Sequence, residues 1–385
     1  MASKLVARAA ITISADAERD RLAALWHNAA MEYRKLGRTG LKVSSYCLGT
    51  MTFGKQVDEA QGRRIIDAAI DRGVTFIDCA DMYVNGETER ILGRALKGRR
   101  DSVVVTSKVG HILKLGSRYG EQKFSGPWDL ARPKPFFPWA WGDETPPHDI
   151  GLNRKHIMAA VEASLKRLDT DYIDVYYAHM PDYDTPIEET LRAMDDLVRQ
   201  GKVRYLGCSN YRAFQLSKAL WTSDKLGLAR WDCIQPPYNL LTRDPEYELL
   251  PLCREEGVGV CPYSPMAAGF LSGKYSKANP PPEGTRFALA HLGYKYNLRY
   301  WNDLDFEVVD ELKKVASAHG RTLAQFALAW CLRDTVVCSV VNGATSIEQL
   351  DENIAATEVK LTQEELEACD RMWERLHPPR IYYGR

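Results

Sequence analysis

The 385-residue chain carries 51 Lys plus Arg against 51 Asp plus Glu, a formal net charge of zero, and no basic block advertises nucleic acid or an anionic membrane as a partner. Its nine cysteines form no C-x-x-C pair, and Cys47, Cys79, Cys208, Cys233, Cys261 and Cys338 lie in apolar segments, which points to reduced, buried thiols, a cytoplasmic setting and no metal. No apolar run approaches the roughly 18 residues of a membrane span, and a small neutral molecule suits this composition best as a partner.

Residues 1–31 read as an N-terminal extension, poorly ordered or helical, that lacks the apolar core of a signal peptide. Residues 1–14 are acid-poor, a faint pattern of organelle import, but Asp16, Glu18 and Asp20 directly after them argue against it. From residue 32 to 385 the chain reads as one domain. Glu32–Leu36 and Leu41–Ser44 flank Gly37-Arg-Thr-Gly40, which predicts a small hairpin ahead of the main fold. Short apolar runs then alternate with helical patterns: Tyr46–Leu48, Val74–Ile77, Val103–Thr106, Ile173–Tyr177, Val203–Gly207, Cys233–Gln235, Gly259–Tyr263 and Ser339–Val341. Asp58 caps a helix that ends at Gly73, apolar groups recur at Ile157, Val161, Leu165 and Leu168, and Thr185-Pro-Ile-Glu188 predicts a capping box whose helix closes at Gly201. Thr322 with Gln325, Ser346 with Gln349, and Thr362 with Glu365 repeat that device.

Eight strands separated by helices predict a parallel (β/α)₈ barrel. A Rossmann sheet lacks its signal, because Leu48-Gly-Thr-Met-Thr-Phe-Gly54 does not spell G-x-G-x-x-G. Residues 110–150 and 276–305 are longer than turns require and leave the C-terminal ends of strands, where barrel enzymes build their sites. Both read as lids over a pocket walled by aromatics, with Phe53, Trp128, Trp139, Trp141 and Trp301 as candidates.

The chemistry-bearing stretch is Gly73–Tyr83, a strand that delivers Asp78 at its end and Tyr83 in the loop beyond. A phenol with pKa about 10 is a poor acid at neutral pH unless a cation lies beside it. Val103-Val-Val-Thr-Ser-Lys108 and Asp174-Val-Tyr-Tyr-Ala-His179 end the next two strands in a lysine and a histidine. Lys108 would stabilise the phenolate, Asp78 would hold Lys108, and His179 would orient a carbonyl oxygen. Each residue has a bland role when taken singly; the four at successive strand ends make a set. Asp81, between Asp78 and Tyr83, gains no role.

In these segments the chain resembles the aldo-keto reductases, and especially their aryl-alcohol dehydrogenase-like and potassium-channel β-subunit-like branches. The resemblance runs from about Tyr33 to Asp370 and includes Leu36–Ser44, Leu48–Gly54, Phe76–Tyr83, Gly207-Cys-Ser-Asn210, Gln235-Pro-Pro-Tyr-Asn-Leu-Leu241, Tyr263–Lys274 and Gly343–Asn353. It implies hydride transfer between NADPH and an aldehyde or ketone, reversibly, with NADH as an alternative cofactor. It also implies that Ser209, Asn210 and Gln235 hold the carboxamide and that Tyr263 stacks on the nicotinamide. Ser264, Pro265, Gly269, Leu271 and Lys274 would follow the pyrophosphate with Arg286 nearby, and Gly343, Ser346, Gln349, Glu352 and Asn353 would serve the adenosine end. The residue chemistry agrees where it speaks: paired amides satisfy a carboxamide, Tyr263 offers a flat apolar face, and Ser346 opens a capped helix whose amides face outward.

The chain departs from the family pattern in three places, one of them the 110–150 segment, which is longer than usual for these branches. Asn342–Gln349 lacks the Arg or Lys common in NADPH-preferring members, which leaves a 2′-phosphate to Lys274, Arg286 or Ser346, and Met266-Ala-Ala stands for Leu-Gly-Gly. A regulatory subunit that senses NADP(H), as channel β-subunits do, is the alternative function. Neither nucleic acid nor membrane is expected as a partner, and self-association is left open.

Overall fold

The computed structural model describes residues 31–110, 149–288 and 293–377. An antiparallel hairpin of β1 (Tyr33–Lys35) and β2 (Lys42–Ser44) comes first. Eight parallel strands follow: β3 (Tyr46–Gly49), β4 (Phe76–Asp78), β5 (Val104–Val109), β6 (Ile173–Ala178), β7 (Val203–Ser209), β8 (Cys233–Gln235), β9 (Gly259–Val260) and β10 (Val340–Asn342). They pair in the order β10-β3-β4-β5-β6-β7-β8-β9. The ends of this curled sheet meet through parallel bridges Val260 to Val337 and Tyr263 to Val341, so the (β/α)₈ barrel closes.

Helices α1 (Glu59–Asp71), α2 (Glu87–Ala95), α3 (Arg154–Leu168), α4 (Ile187–Arg199), α5 (Ala213–Leu226) and α6 (Leu249–Glu256) fill the successive crossovers. Between β9 and β10 the strict alternation breaks, with α7 (Gly293–Tyr300), α8 (Asp303–Ala318) and α9 (Leu323–Leu332), before α10 (Ile347–Ala355) and α11 (Gln363–Leu376) end the described chain. Asp58, Thr322 and Thr362 cap as expected, and the last two complete reciprocal boxes. Two caps differ. Thr185 gives its hydroxyl to Asp182 Oδ2 at 2.7 Å, so Pro186 takes the cap position and no box forms. Ser346 accepts from the Gln349 amide, but the Gln349 side chain turns to Thr345.

Period-two alternation sorts every strand into two faces. Tyr46, Leu48, Ile77, Val105, Val109, Tyr176, Leu206 and Ile234 pack outward against helices. Cys47, Phe76, Val104, Val175, Tyr177, Cys233 and Cys261 fill the barrel, together with Leu36 and Val43 of the hairpin. That hairpin therefore plugs the base. Its turn enters close: Gly37 has φ +58°, and a Cβ there would meet Asp232 O and Gly257 O at 2.6 Å. No helix among the described residues is long and apolar enough to cross a membrane.

The expectation of a lid over residues 110–150 falls almost wholly outside the described residues, as do Trp128, Trp139 and Trp141. Residues 276–305 carry structure where they are described, because α7 lies within them. Replacing Gly37 with Ala adds a methyl group to a crowded left-handed turn, and urea unfolding should show a loss of about 2 kcal/mol or more at unchanged m. A loss below about 0.5 kcal/mol would mean that the hairpin does not seal the base.

Candidate active site

The inward-facing series on consecutive strands change character from bottom to top. Phe76 leads to Asp78, Val104 through Thr106 to Lys108, Val175 through Tyr177 to His179, Tyr205 through Gly207 to Ser209, and Cys233 to Gln235. Apolar residues occupy the base and polar ones the C-terminal mouth, so one period-two pattern collects side chains far apart in sequence. Gly207 is required within it, since a Cβ there would lie 2.5 Å from the Tyr177 ring.

Lys108 is fully buried and its Nζ is saturated. It donates to both oxygens of Asp78 at 2.8 and 2.7 Å, to Cys79 O at 2.8 Å and to the Tyr83 hydroxyl at 3.2 Å. Desolvation opposes its charge, but Asp78 and then Tyr83 outweigh that and hold the ammonium above its ordinary range. Burial pushes the Tyr83 phenol well up, with Lys108 pulling the other way and Asp78 adding to the rise. Tyr83 thus keeps its proton at neutral pH beside a permanent cation. The His179 ring meets the Tyr83 ring edge-on with centroids 6.2 Å apart, and its carbonyl accepts from Asn210 Nδ2 at 2.9 Å. The four strand-end groups are one cluster.

Asp78 has more partners than its sequence suggests. Thr106 Oγ1 donates to Oδ1 at 2.9 Å and Gln235 Nε2 to the same oxygen at 2.8 Å. Thr106 escaped sequence reading, although its place two residues before Lys108 puts it on the same inward face. Gln235 bridges the cluster to the next group, because its carbonyl accepts from Ser209 Oγ at 2.7 Å. Ser209 Oγ in turn accepts from Asn210, whose Oδ1 accepts from the Tyr263 hydroxyl at 2.9 Å. Burial raises the Tyr263 phenol to about 12, and Arg299 of α7 restrains the rise. Arg299 lies in a segment that sequence reading treated as a loop.

Farther along the mouth, Lys274 lies within the field of Arg286. Partial desolvation and then the like charge of Arg286 hold the Lys274 ammonium below its ordinary value. Gly269 lies against the Lys274 ammonium and Gly343 against the Arg286 guanidinium, at 3.8 and 3.9 Å from would-be Cβ positions. Two cations close enough to influence each other, each beside a glycine, favour an anion nearby. Ser264 Oγ accepts from the Ala268 amide, and Pro265 and Leu271 are buried in the turn that carries Gly269. Ser346 and Glu352 stay partly open to solvent, whereas Asn353 is 6% exposed and turns inward to Tyr46 and Gly343 O.

Of the expected pocket walls among the described residues, one is placed differently. Phe53 is 1% exposed and packs under α1, where a Cβ on Gly62 would lie 3.2 Å from its ring; it is core, because the loop after β3 folds inward. Trp301 joins Phe270, Tyr275, Phe287 and Phe306 in an aromatic cluster with centroids 5.1 to 6.1 Å from its own. Backbone strain concentrates at this end of the barrel. Six of the seven left-handed non-glycine residues among those described, Val84, Asn85, Asn210, Ser264, Ala267 and Ala268, lie in loops leaving strand C-termini. Such strain persists where surrounding structure enforces it.

The aldo/keto reductase family model matches residues 46–374. A probable voltage-gated potassium channel subunit beta of Arabidopsis thaliana is 39% identical over 334 residues, 86% of this chain and 92% of its own. A putative subunit of the same kind from Schizosaccharomyces pombe is 34% identical over 92% of this chain and 96% of its own. Versiconal hemiacetal acetate reductase of Aspergillus parasiticus is 32% identical over 90% and 99% respectively.

The buried ion pair makes a stability prediction independent of any reaction. Lys108→Met leaves the Asp78 carboxylate buried without its counterion and should cost about 3–5 kcal/mol by urea unfolding at neutral pH. Adding Asp78→Asn should recover much of it. A double variant no more stable than Lys108→Met would argue against charge as the cause.

Proposed function

The chain belongs to the aldo/keto reductase family, and on that premise we propose an NADPH-dependent oxidoreductase that reduces an aldehyde or ketone to the alcohol, reversibly, with Tyr83 as general acid. The observation that carries this reading is the Lys108 ammonium, fully buried, bound to Asp78 and 3.2 Å from the Tyr83 hydroxyl. A buried cation anchored on a carboxylate is costly to maintain, and besides Asp78 and the Cys79 carbonyl its contact is the Tyr83 phenol.

The nicotinamide cofactor, when bound, supplies the hydride. The chain's own residues do the rest. The Tyr83 hydroxyl donates its proton to the carbonyl oxygen as that oxygen gains charge, and Lys108 stabilises the phenolate left behind. Asp78, fixed by Thr106 and Gln235, keeps Lys108 from following the charge outward. His179 orients the carbonyl. Ser209, Asn210, Gln235 and Tyr263 would hold and face the nicotinamide end, Lys274 and Arg286 the phosphates, and Ser346 at the start of α10 an adenosine-side phosphate. Lys274 and Arg286 together offer the charge a 2′-phosphate requires, which favours NADPH over NADH.

The names of the Arabidopsis and Schizosaccharomyces relatives, channel subunits beta, support a second reading as a regulatory subunit, in which the same site would sense NADP(H). The intact set of four weighs toward turnover. Multiple turnovers of NADPH across a carbonyl panel distinguish the two, since a sensor oxidises its bound cofactor once and stalls.

Tyr83→Phe should lower kcat by about 10²–10⁴ and leave NADPH affinity within twofold; loss of both would place Tyr83 in binding instead. The pH profiles follow from the raised phenol. Reduction needs the protonated form and should stay level through neutral pH, while alcohol oxidation needs the phenolate and should rise with pH. Oxidation that falls as pH rises would rule out Tyr83 as the proton acceptor.

A further inference from the structure

Behind the cluster, on the outward face of β5 and β6, lies a second set of buried polar groups. Glu89, in the first turn of α2, is 0% exposed. Its Oε1 accepts from Ser107 Oγ at 2.6 Å and its Oε2 from Arg167 Nε of α3 at 2.5 Å. Ser107 is the neighbour of Lys108 in the strand. Arg167 also donates to Ser164, and its stem lies against Gly86, where a Cβ would meet Arg167 Cδ at 2.6 Å. Gly86 closes the strained turn Tyr83–Gly86, in which Val84 and Asn85 are left-handed. One carboxylate therefore grips both ends of the pair, the strand that carries Lys108 and the turn that carries Tyr83.

Asp81 completes the set. It is 0% exposed, and neither carboxyl oxygen has a hydrogen-bond partner among the described residues. Its amide reaches Lys108 O at 3.4 Å. The groups facing it are Glu89 from α2, Arg167 from α3 and Lys108 from β5, with the Met82 amide beside it. The Tyr176 hydroxyl of β6, also buried without a partner among the described residues, has the Asp81 charge acting on it.

Lys108 is already matched by Asp78, so the two carboxyls share one guanidinium. Glu89 takes the donors and sits where the α2 dipole favours an anion. Asp81 has the charges of Arg167 and Lys108 and the Met82 amide nearby, and burial together with the Glu89 charge outweighs them.

We propose that Glu89, through Ser107 and Arg167, is a positioning residue for Tyr83 and Lys108, and that Asp81 is held as a neutral carboxylic acid so that this buried set carries a single anion against a single cation. The proposal rests on the catalytic reading of Tyr83 and Lys108. Burial first, then Glu89, pushes the Asp81 carboxyl well above the usual range, with Arg167 opposing, in keeping with the neutral form. A raised carboxyl binds its proton more tightly in the folded state. Stability is then lost as pH rises above the unfolded value of about 4, until the folded group ionises.

The test uses the full chain, single-turnover oxidation of bound NADPH by nitrobenzaldehyde, NADPH affinity and thermal unfolding. Glu89→Gln and Arg167→Met should lower the single-turnover rate at least tenfold with NADPH affinity within twofold, and Arg167→Lys should restore part of it. A Glu89→Gln rate within twofold of wild type, with or without a lower unfolding midpoint, overturns the positioning role. If Glu89→Gln does not fold, Ser107→Ala carries the test: a severalfold loss at a wild-type midpoint supports the role, and an unchanged rate overturns it. For Asp81→Asn, the midpoint should gain on wild type steadily as pH rises above about 4; an offset that does not change with pH overturns the neutral assignment. Tyr83→Phe separates the two levels, since a wild-type rate there defeats the catalytic reading itself.

Discussion

The structure turns on a lysine buried with its charge. An ammonium sealed inside a protein costs several kcal/mol in effective desolvation, repaid only if geometry and hydrogen bonds are nearly complete. Lys108 meets that condition through two contacts to Asp78, the Cys79 carbonyl and the Tyr83 hydroxyl. Asp78 meets it in turn through Thr106 and Gln235, which draws β4, β5 and β8 into one network across the mouth. Removing any member exposes the others to the full cost, so the constellation is held together by its own electrostatics as much as by the barrel.

The barrel divides labour along its axis. Its base is apolar and plugged by Leu36 and Val43 of the hairpin, while its upper inward positions are polar and its upper loops strained. A rigid base makes that strain sustainable, because left-handed Val84, Ser264 and Ala267 each give up of order 1–3 kcal/mol that packing elsewhere offsets. The outward face behind the mouth has its own polar layer in Glu89, Arg167 and Ser107. Two shells, inside and outside one sheet, therefore converge on Lys108 and Tyr83.

Much of this was legible in the sequence, and for a physical reason. Strand alternation and helix caps are local signals, so all eight barrel strands, the hairpin and most caps could be read from spacing. The meeting of Asp78, Tyr83, Lys108 and His179 follows from strand ends sharing one face of a barrel. Contacts that depend on side-chain direction were not legible. Thr106 looked like any strand threonine until its oxygen reached Asp78, and Phe53 looked like a wall until its loop folded inward. Thr185 lost its cap because Asp182, three residues earlier, offered a better acceptor, a competition that no motif encodes. Asp81 had no role in sequence because its significance lies in what it faces, Glu89 and Arg167, contributed by other elements.

A turning-over reductase and a cofactor-bound sensor would use the same four groups, since both transfer one hydride and one proton. The difference between them belongs to release. Across the mouth, Gln56 Nε2 donates to Gly284 O at 2.7 Å, joining the loop after β3 to the segment that carries Arg286. That bond is exposed and contributes on the order of 1 kcal/mol, too little to retain a ligand alone. Lys274 and Arg286 have the opposite character, because the like charge of Arg286 disfavours the Lys274 ammonium and an anion near both would relieve that. Under the proposed function, retention of a cofactor at this end would rest on charge more than on the strap. Salt should loosen such retention, whereas the buried Lys108 cluster is shielded from that screening. On the proposed reading, the groups that would perform chemistry and those that would hold the cofactor's phosphates are thus physically separate, the first buried and saturated, the second partly open to solvent.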